Sequence, residues 1–265
     1  MQQDIILASF GSIDPIVRAR TIDALAKDIQ HNFANFDIKQ AYTSNFIRKK
    51  LQNQGLNIPS IEEEVSKLQS KLYTKVIILP THLTPGEEFE NKMLPFESNY
   101  VEIIPPLFSL NCDTDFDREA FEVILSCFHV YEDEQLLLIG HGSPHRHNPI
   151  YENLQHLADI QNLRIHIGVI EDSDTPNFDD VIRRLQKNNA SKILLAPMLF
   201  NGGSHINKDI AGDDEDSWKS RLNSLGYKIR VCADGLGSFE QFRNLYIKRL
   251  RSHLIKNFQK ISNVS

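Results

Sequence analysis

Three side chains that could hold a metal ion or move a proton stand just beyond apolar runs in the second half of this sequence. They are His141, Glu171 and His205, and the runs before them predict buried β-strands. Two imidazoles and one carboxylate form a donor set suited to Co²⁺, Fe²⁺, Ni²⁺ or Zn²⁺. A histidine in such a place can also act as a general base near neutral pH. Because three separate loops carry these residues, they form no compact metal motif such as HExxH.

Ordinary structural roles remain open for residues in these and similar loops. His205 follows Gly202-Gly203 and is also compatible with a solvated loop histidine. His82 lies in the loop that also carries Glu88, where a structural role and a role in lining a cleft are equally open. The acidic run 213–216 lacks the alternating spacing of an EF-hand, so it is interpreted as helix-capping and solvated charge.

Other chemistries have less support in the sequence. The chain contains neither GxxxxGK[ST] nor GxGxxG, so no motif predicts phosphate binding. Residues 140–143 read Gly-His-Gly-Ser and lack the GxSxG elbow, which disfavours a serine hydrolase. Cys112, Cys127 and Cys232 are scattered, and they predict neither a disulfide framework nor a CxxC metal site.

The composition is that of a soluble globular protein, with 41% hydrophobic and 24% charged residues among 265. A formal net charge of −6 argues against a nucleic-acid partner. No apolar stretch reaches the roughly 18 residues of a membrane span, and the N-terminal segment lacks the basic region of a signal peptide. We therefore expect a cytoplasmic protein, and the sequence leaves a homo-oligomer open.

Apolar runs alternate with helical periodicity along the chain, which predicts an α/β fold with mainly parallel sheets. Pro15 opens one helical pattern, and Ser60 with Glu63 forms a capping box for another helix. Further helices are predicted over 115–128, over 148–160 and near the C-terminus. The predicted strands are 5–8, 38–43, 76–79 and 101–104 in the first half, and 136–139, 164–170 and 193–196 in the second.

An ungapped internal match relates the two halves of the chain. Residues 59–80 lie over 176–197 at a constant offset of 117, with five identities and a proline at the end of each segment. We interpret this match as a duplication. It predicts two small α/β halves, each with a four-stranded sheet, at 1–130 and 131–265. The last helix is long enough to pack back on the first half.

The duplication also predicts where a ligand binds. The same offset places Glu88 over His205, and the match of the first strands places Phe10 over His141. Open α/β sheets bind ligands beyond the carboxyl ends of their strands. We therefore expect the two sets of strand ends to face one cleft, which His141, Glu171, His205 and Glu88 would line.

At these residues the sequence resembles the anaerobic cobaltochelatases that act on sirohydrochlorin, which are class II tetrapyrrole chelatases. The resemblance covers nearly the whole chain. It implies a chelatase-like fold of two pseudo-twofold-related, three-layer halves, which agrees with the duplication. The segments that carry it are ASFGS from Ala8, AYTSNFIRKKL from Ala41, PTHLTPGEEFE from Pro80, LLLIGHGSPH from Leu136, GVIED from Gly168, PMLFNGGSHINKDIAGDDEDSWKS from Pro197 and DGLG from Asp234.

The resemblance implies a set of site residues. His141, Glu171 and His205 would bind the metal, and His141, His205 and Glu88 would act in catalysis. One departure is the loop 201–204, where Asn-Gly-Gly-Ser replaces the family's more usual alanine-glycine-aspartate run. The residues predicted to bind the substrate are Phe10, Gly11, Ser12, Arg48, His82, Gly202 and Gly203.

The implied activity is insertion of a divalent metal into sirohydrochlorin in the biosynthesis of cobalamin or a related tetrapyrrole. Co²⁺ is the first choice, Fe²⁺ or Ni²⁺ are alternatives, and no cofactor is expected beyond this metal substrate. The ring loses two pyrrole protons as the metal enters, so a histidine not bound to metal can take up a proton. The substrate carboxylates call for cationic partners, for which the candidates are Arg48, Lys49, Lys50, Arg146 and Lys208.

Two other functions remain open at this stage. One is a ferrochelatase that acts on sirohydrochlorin or a porphyrin. The other is a protein that binds a tetrapyrrole or a metal without catalysis.

Overall fold

Two four-stranded parallel β-sheets, each flanked by helices, form the framework of the protein, which confirms the predicted α/β class. The computed structural model describes residues 3–69, 75–203 and 206–262. The strand order is β2-β1-β3-β4 in the first sheet and β6-β5-β7-β8 in the second. The strands are β1 (Gln3–Ser9), β2 (Asp37–Tyr42), β3 (Lys75–Pro80), β4 (Val101–Ile103), β5 (Gln135–Gly140), β6 (Ile165–Val169), β7 (Lys192–Pro197) and β8 (Lys228–Val231).

Helices connect successive strands, as parallel pairing requires. The α-helices are α1 (Pro15–Arg20), α2 (Ile22–Asn32), α3 (Asn45–Asn53), α4 (Ile61–Gln69), α5 (Glu87–Lys92), α6 (Asp115–Ser126), α7 (Ile150–Ile160), α8 (Phe178–Lys187), α9 (Trp218–Ser224) and α10 (Glu240–Ser262). Shorter segments are the 3₁₀ helices Leu94–Phe96 and Leu236–Ser238 and the π-helix Ile206–Ile210.

The chain divides into two compact units, one around each sheet. The first unit consists of residues 1–107 and 237–265, and the second of residues 108–236. This division differs from the sequence boundary at residue 130, because α6 and the segment before it belong with the second sheet. For example, the Asn153 side chain of α7 donates to the Leu110 carbonyl at 3.0 Å.

Within the first unit, the long helix α10 packs through an apolar face and through polar contacts of its side chains. Its residues Phe242, Leu245, Tyr246, Leu250 and Leu254 are buried. Tyr246 donates its hydroxyl to the Thr81 carbonyl at 2.9 Å, at the carboxyl end of β3. Arg243 pairs with Asp28 of α2 at 2.5 Å, and His253 lies 2.9 Å from Glu102 of β4. The helix therefore ties α2, β3 and β4 together.

The second unit has a central strand that is buried along its whole length. All six residues of β5 are buried, because helices cover both faces of a parallel sheet. On one face, Phe178 of α8 and Trp218 of α9 pack together with ring centroids 5.0 Å apart. On α7, Gln155 donates to the Ile165 carbonyl and accepts from the Ile167 N–H, which fastens that helix to β6.

The two sheets repeat each other residue by residue, as the duplication predicts. Pro80 pairs with Ala8 in the first sheet, and Pro197 pairs with Ile139 in the second. The helices α4 and α8 begin at positions that are 117 residues apart, and each starts with a capping box. That box joins Ser60 to Glu63 in the first unit and Asn177 to Asp180 in the second.

We expect acid to weaken the protein through His166 of β6, which is buried with Nε2 2.6 Å from Gln135 Oε1. Burial lowers the pKa of His166 to about 4 from its ordinary value of 6.5. Between these values the unfolded chain binds more protons than the folded one. The free energy of unfolding should therefore fall by about 2–3 kcal/mol as the pH drops from 6.5 towards 4.

Urea unfolding at pH 7 and pH 4.5 measures this loss. His166→Gln removes the titrating group and should reduce the difference between the two pH values. His156→Gln, at an exposed position of α7, should leave the difference unchanged. Equal pH dependence in wild type and His166→Gln would contradict the prediction.

Candidate functional site

The carboxyl ends of β5 and β6 bring two of the predicted metal ligands together in the second unit. His141 directly follows β5, and Glu171 lies two residues beyond β6. The main chain continues the pairing of the strands past their ends, because Ile170 donates to Gly140 at 3.0 Å and Glu171 donates to the His141 carbonyl at 3.1 Å. As a result, His141 Nδ1 lies 3.9 Å from Glu171 Oε1.

Both side chains of this pair are accessible to a ligand. The side chain of His141 is 40% exposed and that of Glu171 is 32% exposed. His141 Nδ1 also lies 3.2 Å from the Gly142 carbonyl. A proton on Nδ1 would face the Gly142 carbonyl, since 3.9 Å to Glu171 is too long for a hydrogen bond. In that tautomer Nε2 carries the lone pair that can bind a metal.

Position 142, directly after His141, requires glycine because of its backbone conformation and because neighbouring side chains leave no room for a Cβ. Gly142 has a φ of +77°, in the left-handed region that glycine tolerates best. A Cβ at this position would lie 2.9 Å from Val169 Cβ and 3.2 Å from Glu171 Cβ. The loop therefore runs directly against the end of β6, which holds His141 close to Glu171.

Asp174 is a buried carboxylate beside this pair that the sequence does not single out. It is 1% exposed and accepts hydrogen bonds from the backbone of Ser143 and Asn148 and from the ring of His147. Only folding of the loop around it distinguishes this residue from the exposed Asp172 nearby in the sequence.

The third predicted ligand lies in a loop that the structure describes only in part. Ser204 and His205 fall outside the described residues, so the convergence of three ligands stays a prediction. Gly202 and Gly203 are half-buried. Gly235 packs against this loop, because a Cβ there would lie 2.8 Å from the Phe200 carbonyl. Among residues 3–69, 75–203 and 206–262, no group of three or more His, Cys, Asp or Glu side chains is arranged to hold a metal.

The first unit carries the other predicted residues, most of them at the carboxyl ends of its own strands. Phe10 directly follows β1 and is 45% exposed, whereas Ser12 is buried. Gly11, with a φ of +97°, packs so closely on Tyr42 that a Cβ would lie 2.5 Å from its Cδ2. These contacts fix the turn that displays the Phe10 ring.

Three further predicted residues of the first unit differ in their surroundings. His82, two residues beyond β3, has a pKa lowered to about 4 by burial, so its imidazole is neutral at neutral pH. Glu88 is the second residue of α5 and is half-buried. Arg48 of α3 lies 3.6 Å from Glu63, so an acidic group of its own unit already neighbours this cation.

Two of the broader expectations can also be compared with the described part of the chain. None of the three cysteines forms a disulfide, and burial raises the pKa of Cys112 and of Cys127 to about 12. Among the described helices, none has the length and apolar character needed to cross a bilayer.

Comparison with known proteins gives one family over almost the whole chain. The family model described as cobalt chelatase (CbiK) matches residues 3–255. The sirohydrochlorin cobaltochelatase of Salmonella typhimurium strain LT2 is 26% identical over 263 residues, which cover 96% of this chain and 97% of that protein. Sirohydrochlorin cobaltochelatase CbiKC of Nitratidesulfovibrio vulgaris strain Hildenborough is 26% identical over 256 residues, covering 94% and 89% respectively.

A shorter relative matches only part of the chain. The sirohydrochlorin cobaltochelatase of Saccharolobus solfataricus strain P2 is 30% identical over 129 residues. These residues are 98% of that protein but 46% of this chain. The relative thus has about the length of one α/β half.

Replacement of Gly142 by alanine should destabilise the protein and disturb the His141–Glu171 pair. The added methyl group would meet Val169 and Glu171, and the positive φ adds strain of about 1–2 kcal/mol. We expect a larger loss of unfolding free energy than for Gly226→Ala, which shares the positive φ but has no atom within 4 Å of the added carbon. Urea unfolding and the NMR signals of the His141 ring measure the two effects. Equal losses for both variants would show that the close approach to β6 is unimportant.

Proposed function

This chain belongs to the cobalt chelatase (CbiK) family, and from that membership we propose that it inserts Co²⁺ into sirohydrochlorin. The single observation in the structure that carries the proposal is the approach of His141 to Glu171, at 3.9 Å, on a strand-end edge where both side chains are accessible. An imidazole and a carboxylate are donors that first-row divalent ions accept.

The proposed reaction needs a metal site that binds its ion and then releases it. Insertion replaces two pyrrole protons of the macrocycle by one divalent cation, so two protons leave for each metal that enters. His141 and Glu171, with His205 as the third proposed ligand, would occupy only part of the coordination sphere. The remaining positions are then open to the pyrrole nitrogens, as in other catalytic metal sites.

Proton removal is proposed to involve groups that are neutral or anionic at neutral pH. Burial holds the pKa of His82 at about 4, so its imidazole is neutral but too weak a base to keep a proton at neutral pH, and it is proposed only to line the substrate site. Glu88 and Glu171 are the carboxylates proposed to take part. A ligand that has given up its metal becomes a base again, so the pair His141–Glu171 could take one of the two protons.

We propose that the macrocycle is recognised by apolar and cationic groups together. The exposed ring of Phe10 offers a flat apolar surface, and Gly11 lets the chain turn beside it. Arg48 and the glycines Gly202 and Gly203 complete the proposed contacts. The carboxylates of sirohydrochlorin would compete with Glu63 for Arg48, since that pair is separated by 3.6 Å.

The names of the relatives favour cobalt over the ferrochelatase alternative. The donor atoms constrain the metal only loosely, so Fe²⁺ and Ni²⁺ remain competing substrates in any assay. We propose no cofactor beyond the metal. A cytoplasmic location is proposed because none of the three cysteines forms a disulfide.

His141→Ala should abolish metal insertion while the fold persists. The side chain is 40% exposed, so its removal costs little packing, but it takes away a proposed ligand. We expect the single-turnover rate of cobalt insertion into sirohydrochlorin, followed by visible absorption at saturating Co²⁺, to fall by about 100-fold or more.

His156→Ala is the matched control, because this histidine is exposed on α7 of the same unit. It should insert cobalt at the wild-type rate. Wild-type rates in His141→Ala would remove His141 from the chemistry. A wild-type protein that binds the macrocycle but inserts no metal would favour a non-catalytic binding protein instead.

Glu88→Gln should have a smaller effect than His141→Ala. We expect a loss of about tenfold or less in kcat, because Glu88 is proposed to assist proton or metal handling without being a principal ligand. Assays with Co²⁺ and Fe²⁺ in parallel would detect a change in metal preference. Glu90→Gln, on the same short helix, serves as the control. A loss as large as that of His141→Ala would assign Glu88 a principal role.

A further inference from the structure

We propose that Asp174 is a positioning residue whose buried carboxylate holds the loop after His141 and thereby sets His141 against Glu171. The inference rests on the proposed function of that pair. Asp174 contacts neither the metal nor the substrate in this proposal, so it acts through the residues that do.

The carboxylate of Asp174 closes the loop at both of its ends. Oδ2 accepts the backbone N–H of Ser143 at 2.9 Å, and Oδ1 accepts that of Asn148 at 3.1 Å. Oδ1 also accepts the backbone N–H of Thr175 at 2.9 Å. The side chain is fully buried. Hydrogen bonds to a buried carboxylate are among the stronger ones, so the loop is held firmly.

The ring of His147 strengthens the same anchor. Its Nδ1 lies 2.8 Å from Asp174 Oδ1, and its Nε2 lies 3.5 Å from Glu152 Oε2 on α7. Thr175 donates its hydroxyl to Glu152 at 2.7 Å and lies 3.3 Å from His147 Nδ1. These contacts join the loop, the turn after β6 and the first turn of α7.

The anchor lies within a few residues of both members of the proposed metal pair. Ser143 follows His141 by two residues, with only Gly142 between them. Asp174 follows Glu171 by three residues, and its N–H donates to the Glu171 carbonyl at 3.0 Å. The carboxylate therefore bridges the two segments that carry the pair.

The loop needs such an anchor because no regular structure supports it. Residues 141–149 contain neither helix nor strand. Gly142 contributes a left-handed turn and donates its N–H to the Tyr151 hydroxyl at 3.4 Å, but it has no side chain of its own to hold the loop. A displacement of about 1 Å at a reacting group can cost about 100-fold in rate, so loss of the anchor should be visible in catalysis.

Asp174→Asn tests the inference with little change of shape. The amide keeps one oxygen acceptor, but its NH₂ group must face an N–H donor at one end of the loop. The matched control is Asp117→Asn in the same unit. Asp117 is equally buried, and it accepts the backbone N–H and the hydroxyl of both Ser109 and Thr114 at the start of α6, none of them in the loop 141–149.

Both variants should unfold at lower temperature, but only Asp174→Asn should lose function. We expect kcat for cobalt insertion to fall by 10- to 100-fold with the KM for sirohydrochlorin within about twofold of wild type. In the metal-free protein, amide hydrogen exchange at Ser143 and Asn148 should accelerate, and the NMR signals of the His141 ring should shift. Asp117→Asn should show none of these three changes.

Two results would overturn the inference. One is an Asp174→Asn variant with wild-type kcat and unchanged His141 signals. The other is an Asp117→Asn variant that loses as much activity, which would make the effect one of general stability. Absence of insertion activity in the wild type would instead overturn the proposed function. In that case the NMR signals of the His141 ring and the amide exchange of the loop would still test the positioning role. If both were the same in Asp174→Asn as in wild type, the positioning role would be overturned.

Discussion

The register of the parallel strands at their carboxyl ends is the constraint on which the rest of the structure depends. In the second unit, the main-chain bonds from Ile170 and Glu171 to the end of β5 bring His141 and Glu171 side by side before any side-chain contact is made. In the first unit, the bond from Thr43 to Ser9 repeats the arrangement. There Phe10 takes the position of His141. The duplicated scaffold therefore presents an imidazole in one unit and an apolar aromatic ring in the other.

Much of the fold could be predicted because its inner strands are buried on both faces. The apolar runs 76–79 and 136–139 lie inside β3 and β5, and the prolines that end β3 and β7 revealed the repeat. The edge strand β8 could not be located, because its residues alternate in polarity and none is buried: Lys228 is exposed and the other three are half-buried. The helical pattern from Pro15 was also interrupted, since Thr21 adopts non-helical angles between α1 and α2.

The site residues differ in the same way: a local sequence pattern predicts some of them, whereas others depend on tertiary contacts. His141 and Glu171 follow apolar runs, so their place at a strand-end edge follows from the sequence. Asp174 could not be found in that way, because its burial arises only when the loop folds around it. The segment Glu171–Asp174 holds two aspartates that look alike in the sequence, yet the side chain of Asp172 is 81% exposed and that of Asp174 is buried.

The order of the units along the chain has a consequence for biogenesis. The second unit is one continuous stretch, whereas the first consists of two stretches that flank it. A ribosome therefore finishes the whole second unit before it makes α10, and domains generally fold as units during synthesis. The first unit is complete only after the helix that carries Arg243, Tyr246 and His253 has been synthesised. The half that bears His141 and Glu171 can thus mature first, although its sheet is the second to be translated.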